Sequence, residues 1–289
     1  MNILSSSDTR PRIWPAPAKL NLFLHVLGRR ADGYHELQTL FQILDWGDEL
    51  DIHINHSGDI SRSCNVDTIP LSEDICLAAA RLLKTRCGTQ QGAHIDLKKN
   101  IPLGAGLGGG SSDAATVLVA LNSLWNCGLS NLGLAEMGLQ LGADVPVFIL
   151  GQSAWAEGRG EKLQAVSLGE RHYVLVFPEF GISTARVFQH PGLKRDSKPL
   201  SLAEIDLQAG RNDCQPVALE MYPQLQQIMQ DLQAWGQPVM TGTGSTIFLP
   251  FNSKKSAINA ASELKCRYNV RAVGGVDHSV LLSRLSVER

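Results

Sequence analysis

The run Pro102-Leu-Gly-Ala-Gly-Leu-Gly-Gly-Gly-Ser111-Ser112-Asp113 constrains this 289-residue chain more than any other stretch. Five of its 27 glycines fall within residues 104–110, and Ala114, Ala115, Leu118, Leu121 and Trp125 follow at helical spacing. Ser111, Ser112 and Asp113 are N-cap residue types, so the pattern predicts a helix opening there. A glycine loop entering a helix N-terminus leaves backbone N–H groups unpaired, and the helix dipole adds partial positive charge. Such a loop holds phosphate. The alternative is a turn that only packs a helix against a sheet. Each ordered glycine costs about 0.5–1 kcal/mol relative to alanine, however, and close ligand approach to bare backbone explains that cost better.

Two common phosphate-loop readings fail. Residues 104–109 satisfy G-x-G-x-x-G, but the dinucleotide fingerprint needs a buried parallel strand before it and an acid about 20 residues on. Here His94–Lys99 alternates polar and apolar, as a half-buried strand does, and no acid lies between Asp113 and Glu136. A P-loop needs Gly-Lys-Ser/Thr, and this loop has no lysine.

Composition narrows the classes further. Hydrophobic content of 44% with 19% charged residues is that of a soluble globular chain. Net charge is −2 and no basic run exceeds two residues, which argues against a nucleic-acid partner. No apolar stretch approaches the roughly 20 residues of a membrane span. Six cysteines (64, 76, 87, 127, 214 and 266) form no C-x-x-C pair, and residues 1–12 are polar with no apolar signal core. The cysteines therefore read as reduced thiols of a cytoplasmic protein.

Periodicity predicts a strand over 18–27, two strands at 37–44 and 48–54, a helix over 76–83 and a strand over 94–97. A helix over 132–141 follows the loop helix, and Val145–Leu150 reads as a buried strand. Residues 151–161 suggest an exposed hairpin or crossover between halves. Beyond it the pattern gives a strand at 173–177, one helix over 216–235, a strand at 246–249, a helix over 255–266 and a closing strand at 280–285. Residues 1–12 and Lys194–Ser201 read as mobile. These mixed elements predict an α+β chain of two domains, 1–162 and 163–289, with the site in the cleft between them.

The loop's pattern, Pro-x-Gly-x-Gly-Leu-Gly-Gly-Gly-Ser-Ser, resembles that of the GHMP kinases, named for galactokinase, homoserine, mevalonate and phosphomevalonate kinases. Pro15-Ala-Pro17-Ala18-Lys19-Leu20-Asn21-Leu22 and Thr241-Gly242-Thr243-Gly244-Ser245-Thr246-Ile247-Phe248 fit the same superfamily, in its order. Arg30-Ala-Asp-Gly-Tyr34-His35-Glu-Leu-Gln-Thr-Leu-Phe41 and Leu141-Gly-Ala-Asp144-Val-Pro146-Val-Phe148 are closest to its branch acting on a cytidine-diphosphate-bearing alcohol. The resemblance spans roughly residues 14–280. It implies a two-domain α+β kinase taking ATP and Mg²⁺, with oligomeric state open. Pro102, Leu103, Gly104, Ala105, Gly106, Leu107, Gly108, Gly109, Gly110, Ser111, Ser112 and Lys99 would bind the nucleotide. Asn21, Tyr34, His35, Phe188 and Thr243 would bind substrate, and Lys19 and Asp144 would be catalytic. No protein metal-ligand set is implied, since Mg²⁺ favours phosphate oxygens and water.

The residues themselves leave alternatives. Asp144 in an apolar context is either a base or a turn aspartate bonded to nearby backbone. Lys19 is either the cation that keeps Asp144 ionised or an edge lysine. Tyr34 and Phe188 either sandwich a base, with His35 hydrogen-bonding it, or pack in a core. His53 and His56, three apart on a strand, face opposite sides and cannot share a metal. Two positions depart from the family pattern. Ala105 replaces a glycine found in some relatives and needs a negative φ. Asp74, near the expected adenine pocket, stands where asparagine is common and lacks an amide donor. Another small-alcohol kinase, on mevalonate or homoserine, and a ligand sensor without catalysis are the rival functions.

Overall fold

The computed structural model describes residues 13–66, 70–204 and 211–286. The N-terminal segment read as mobile lies outside them. In chain order come β1 (Ile13–Arg29), β2 (His35–Asn55), β3 (Ile60–Cys64), α1 (Ile75–Cys87), β4 (Gly92–Lys98), α2 (Gly109–Leu124), α3 (Asn131–Gly138), α4 (Val145–Leu150), β5 (Ala154–Gly158), β6 (Lys162–Ala165) and β7 (Arg171–Phe177). They are followed by α5 (Thr184–Gln189), α6 (Gln215–Met221), α7 (Pro223–Leu232), β8 (Val239–Met240), β9 (Ile247–Phe251), α8 (Lys254–Leu264), β10 (Asn269–Val276) and α9 (Val280–Ser286). Mixed helix and sheet is the α+β class expected.

One sheet runs through both halves, in the order β3-β4-β2-β10-β7-β9-β8. β2 is its hub. β1 pairs antiparallel along one edge, while β5, the end of β10 and β4 occupy successive stretches of the other. The two strands expected at 37–44 and 48–54 are thus one strand, continuous through Gly47. A Cβ at Gly47 would lie 2.0 Å from Ala16 O, so only glycine allows β1 and β2 to cross this closely.

Three cores pack on the sheet. Trp14, Leu50 and Ile95 meet Leu83, Leu118 and Phe148 of α1, α2 and α4. Val174, Val176 and Leu249 meet Leu225, Leu232 and Leu264 of α7 and α8. The third draws on both halves: Leu20, Leu22, Leu40 and Leu44 pack with Tyr173, Leu175 and Phe248, and Ala105 and Leu107 of the glycine loop join them. Because both faces are covered, polar residues of β1 are buried as deeply as its leucines.

Several expectations need correction. Val145–Leu150 is a helix, opened by Pro146 in its first turn and closed by Gly151 at φ +62°. A short apolar run does not by itself distinguish helix from strand. Residues 280–286 are helical, with the Ser279 hydroxyl accepting the Leu281 N–H. The single helix expected over 216–235 breaks at Tyr222, because Pro223 lacks an N–H and pushes the preceding residue out of the helical region. β10 carried no strand pattern: Arg271 and paired glycines interrupt its alternation. Residues 154–158 form a largely buried hairpin strand on β2, and the expected boundary after Lys162 falls inside β6. The 194–201 stretch is tied down: Ser197 N donates to Val26 O and its Oγ to Asp213, and Leu200 N donates to Gln38. Cys87 and Cys127 form a disulfide, with Cα atoms 5.3 Å apart, so not all six cysteines are thiols. A pair 40 residues apart has no sequence signature; packing of α1 on α2 brings the two together. Among the described residues no helix is long and apolar enough to cross a membrane.

Candidate active site

The glycine loop is held by its carbonyls. Gly104 O accepts from Ile182 N, Ala105 O from Thr246 N, Leu107 O from Lys19 N and Gly108 O from Ser112 N. Gly106 O accepts from Lys19 Nζ at 2.9 Å. Apart from the loop's own turn at Leu103–Gly104, no backbone N–H of residues 103–108 donates to a backbone carbonyl among the described residues, and those of Gly109, Gly110 and Ser111 open α2, where helical partners are absent. With its carbonyls turned into the protein, the loop presents its N–H groups outward as an anion nest. That donor set fits a triphosphate. Gly104, Gly106 and Gly108 have φ of +66°, +74° and +72°. Ala105 between them keeps a negative φ, and its methyl is buried in the shared core. Pro102 and Leu103 are exposed on the approach to this nest.

Three expectations here are revised. The helix is capped by Gly108, and Ser111 and Ser112 lie inside its first turn. Ser112 is fully buried, whereas Ser111 Oγ faces the turn before Asp144, 3.6 Å from where a Cβ at Gly142 would sit. Lys99 does not reach toward a nucleotide: its ammonium is buried between Asp48 Oδ2 at 2.5 Å and Asp113 Oδ2 at 2.7 Å, beneath the loop. Asp74 is likewise committed, accepting the N–H groups of Cys76 and Leu77 as the cap of α1 and pairing with Arg62.

Lys19 and Asp144 meet. Lys19 Nζ lies 3.6 Å from Asp144 Oδ2, 2.5 Å from Asn21 Oδ1 and over the Phe41 ring. Lys19, Leu20 and Asn21 pair in register with Ile43, Gln42 and Phe41, and register shifts bound this stretch on either side, between Pro17 and Lys19 and between Asn21 and Leu24. Burial pulls the Lys19 ammonium below its ordinary pKa, against the opposing pull of Asp144. Asp144 precedes α4 but its side chain caps nothing, which removes the backbone-bonded alternative. Its side chain is about a third exposed, so it combines a fixed cation partner with access for a substrate.

Asn21, expected at the substrate, lies beside the Lys19 ammonium. It is buried, its Nδ2 donates to Thr39 Oγ1 and its backbone N–H donates to Thr241 Oγ1. Thr243, also buried, bonds Thr184 at the start of α5, the helix that carries Phe188.

At the far end, Tyr34 is exposed beside the β1–β2 turn. Phe188 stacks on His35, centroids 5.1 Å apart and 28° between planes, and the Arg159 guanidinium lies over the Tyr34 ring. The expected facing of Tyr34 and Phe188 is therefore replaced by two separate stacks, Arg159 on Tyr34 and Phe188 on His35. Burial, then Arg195 and Arg29, lower the His35 pKa, so the ring is neutral and Nε2 accepts from Arg195 Nε at 3.1 Å. Arg195 also binds the carbonyls of Phe188, His190 and Leu193, pinning that turn to His35. Arg159, Arg195 and Thr39 escaped the sequence reading. A lone arginine in a polar stretch reads as solvated, and a threonine inside a strand reads as β-propensity.

Models of two families match: GHMP kinases N terminal domain over residues 74–152 and GHMP kinases C terminal over residues 192–270. The 4-diphosphocytidyl-2-C-methyl-D-erythritol kinase of Alkalilimnicola ehrlichii is 48% identical over 278 residues, covering 96% of each chain. That of Nitrosococcus oceani is 46% identical over 273 residues, covering 94% of this chain and 98% of its own. A crystal structure of 4-(cytidine 5'-diphospho)-2C-methyl-D-erythritol kinase superposes with a TM-score of 0.80 at 34% identity, over 91% of this chain and 99% of that one. Homoserine kinase from Cytophaga hutchinsonii, at 15% identity and TM-score 0.69, shares the fold. With a phosphate nest facing a lysine–aspartate pair and near-complete coverage at these identities, the chain belongs to the GHMP kinases, in the family of 4-diphosphocytidyl-2-C-methyl-D-erythritol kinases.

Proposed function

We propose that this kinase transfers the γ-phosphoryl group of ATP to the 2-hydroxyl of 4-diphosphocytidyl-2-C-methyl-D-erythritol, giving the 2-phosphate and ADP. The observation carrying this reading is that Lys19 touches both the phosphate loop, through Gly106 O, and Asp144. Transfer to an alcohol needs phosphate positioning, charge neutralisation and a group to take the hydroxyl proton. The outward N–H groups of 103–111 position the triphosphate. Asp144 takes the proton as the hydroxyl oxygen bonds to phosphorus and the bond to the ADP oxygen breaks. Lys19 keeps Asp144 ionised and orients the hydroxyl. Mg²⁺ would neutralise phosphate charge, held mainly by phosphate oxygens and water, with the Ser111 hydroxyl and the Asp144 carboxylate as the oxygen ligands the protein could offer. Tyr34, His35 and Phe188 recognise the cytosine. Dependence on ATP supports a cytoplasmic enzyme, where reducing conditions would open the Cys87–Cys127 pair to thiols.

Replacing Asp144 by Asn keeps the shape and removes the base. D144N is expected to lose about 10²–10⁴ in kcat while ATP binding, read by calorimetry, persists. Near-normal turnover in D144N would remove Asp144 from the mechanism. Phosphorylation of mevalonate or homoserine in place of the cytidyl alcohol would overturn the substrate.

A further inference from the structure

We propose that Thr39 is a positioning residue for phosphoryl transfer, fixing the Asn21 amide the one way round that lets Asn21 hold the Lys19 ammonium beside Asp144. The inference rests on the reading that Lys19 and Asp144 carry the transfer.

The argument is one of hydrogen-bond direction. Thr39 Oγ1 lies 2.5 Å from Phe23 O. A carbonyl only accepts, so the hydroxyl's single proton is committed to Phe23 and its oxygen can only accept from elsewhere. Phe23 O is reachable because Leu22 and Phe23 fall in the register shift of β1 and have no partner on β2. The atom 2.9 Å away on Asn21 must therefore be the donor, Nδ2. That leaves Oδ1 facing Lys19 Nζ at 2.5 Å. The opposite rotamer would set an amide NH₂ against the ammonium and a carbonyl oxygen against the threonine lone pair. Both contacts would be repulsive in a buried site: Lys19 is 3% exposed, Asn21 4% and Thr39 2%.

Other contacts narrow the freedom of each member. The Asn21 backbone is anchored by its N–H on Thr241 Oγ1, so the amide orientation is the remaining variable. The Lys19 ammonium has three donors and three partners: Asn21 Oδ1, Gly106 O and Asp144. Releasing the first lets the cation drift from the carboxylate it must hold. Thr39 touches neither the loop nor Asp144 in this chain of bonds and acts only through Asn21.

The test uses the full-length enzyme with ATP and the cytidyl alcohol. Thr39→Val keeps the shape and deletes the hydroxyl; Thr39→Ser keeps the hydroxyl; Thr39→Ala replaces Val if that variant does not fold. T39V is expected to lower kcat about ten- to a hundredfold, the range for stranding a buried polar group, with KM for ATP unchanged. T39S restores most of the rate. In an Asn21→Ala background, T39V causes no further loss, because the intermediary is already gone. Wild-type kcat in T39V, failure of T39S to rescue, or multiplying losses in N21A/T39V each overturn the relay. Lost turnover in D144N with wild-type kcat in T39V overturns the relay alone. Full turnover in D144N overturns the pair and the relay with it.

Discussion

Beneath the phosphate loop, one lysine serves two carboxylates. Lys99 bonds Asp48 and Asp113, while Asp48 Oδ1 also accepts the N–H groups of Asn100 and Ile101. Asp48 is thus well held, and Asp113, buried with an unpartnered Oδ1, is not. Burial pushes the Asp113 carboxyl up to about 8. A carboxyl raised in the folded state binds its proton more tightly there than when unfolded. The stability it contributes is full below about pH 4 and is lost as pH rises through about 8. Melting temperature should therefore fall across this range more steeply in the wild type than in D113N, which retains a neutral group of the same shape. Parallel profiles for the two proteins from pH 6 to 9 would show that Asp113 does not titrate there. In the sequence this residue read as a helix cap, because its burial depends on Lys99 and Asp48 arriving from two strands. Asp74 read in the sequence only as a residue near the adenine pocket, and its carboxylate is committed to the cap of α1 and to Arg62.

At the scale of elements, two glycine segments from opposite halves interlock. A Cβ at Gly106 would lie 2.5 Å from Thr241 O and 2.8 Å from Gly244 O, both rigid backbone, at a φ that already disfavours a side chain. Gly106→Ala is thus expected to reduce ATP affinity at least tenfold, as forced separation of the segments displaces both the nest and Gly106 O from Lys19. Unchanged ATP binding by calorimetry would show that the segments can part without cost. Ala105 tolerates its methyl because φ stays negative and the core accepts it. The loop and its helix were legible because glycine density and N-terminal apolar spacing are local properties, whereas Lys19 and Asp144 were singled out only by the resemblance of their motifs to the GHMP kinases. The helical state of 145–150 was not legible, since six apolar residues fit either period.

Across the whole molecule, the halves are joined rather than merely apposed. β10 pairs with β2 at Leu44 and Ile43 and with β7 along its length, and the third core takes leucines from β1 and β2 and aromatics from β7 and β9. Separating the halves would expose that core and a sheet edge together. Thermal unfolding of the apoprotein is expected as one calorimetric transition, with van't Hoff and calorimetric enthalpies equal. Two resolved transitions would mean that the shared sheet does not couple the halves. The sequence by itself determined the glycine loop and the α+β class, because each is written in short-range pattern, and the resemblance of its motifs supplied the candidate kinase residues. Only the tertiary structure decided which of them meet. It turned Lys99 away to Asp113, set Phe188 on His35, and placed Asn21 and Thr39 behind Lys19. Burial and hydrogen-bond direction arise from segments far apart in the chain, and no local pattern encodes them.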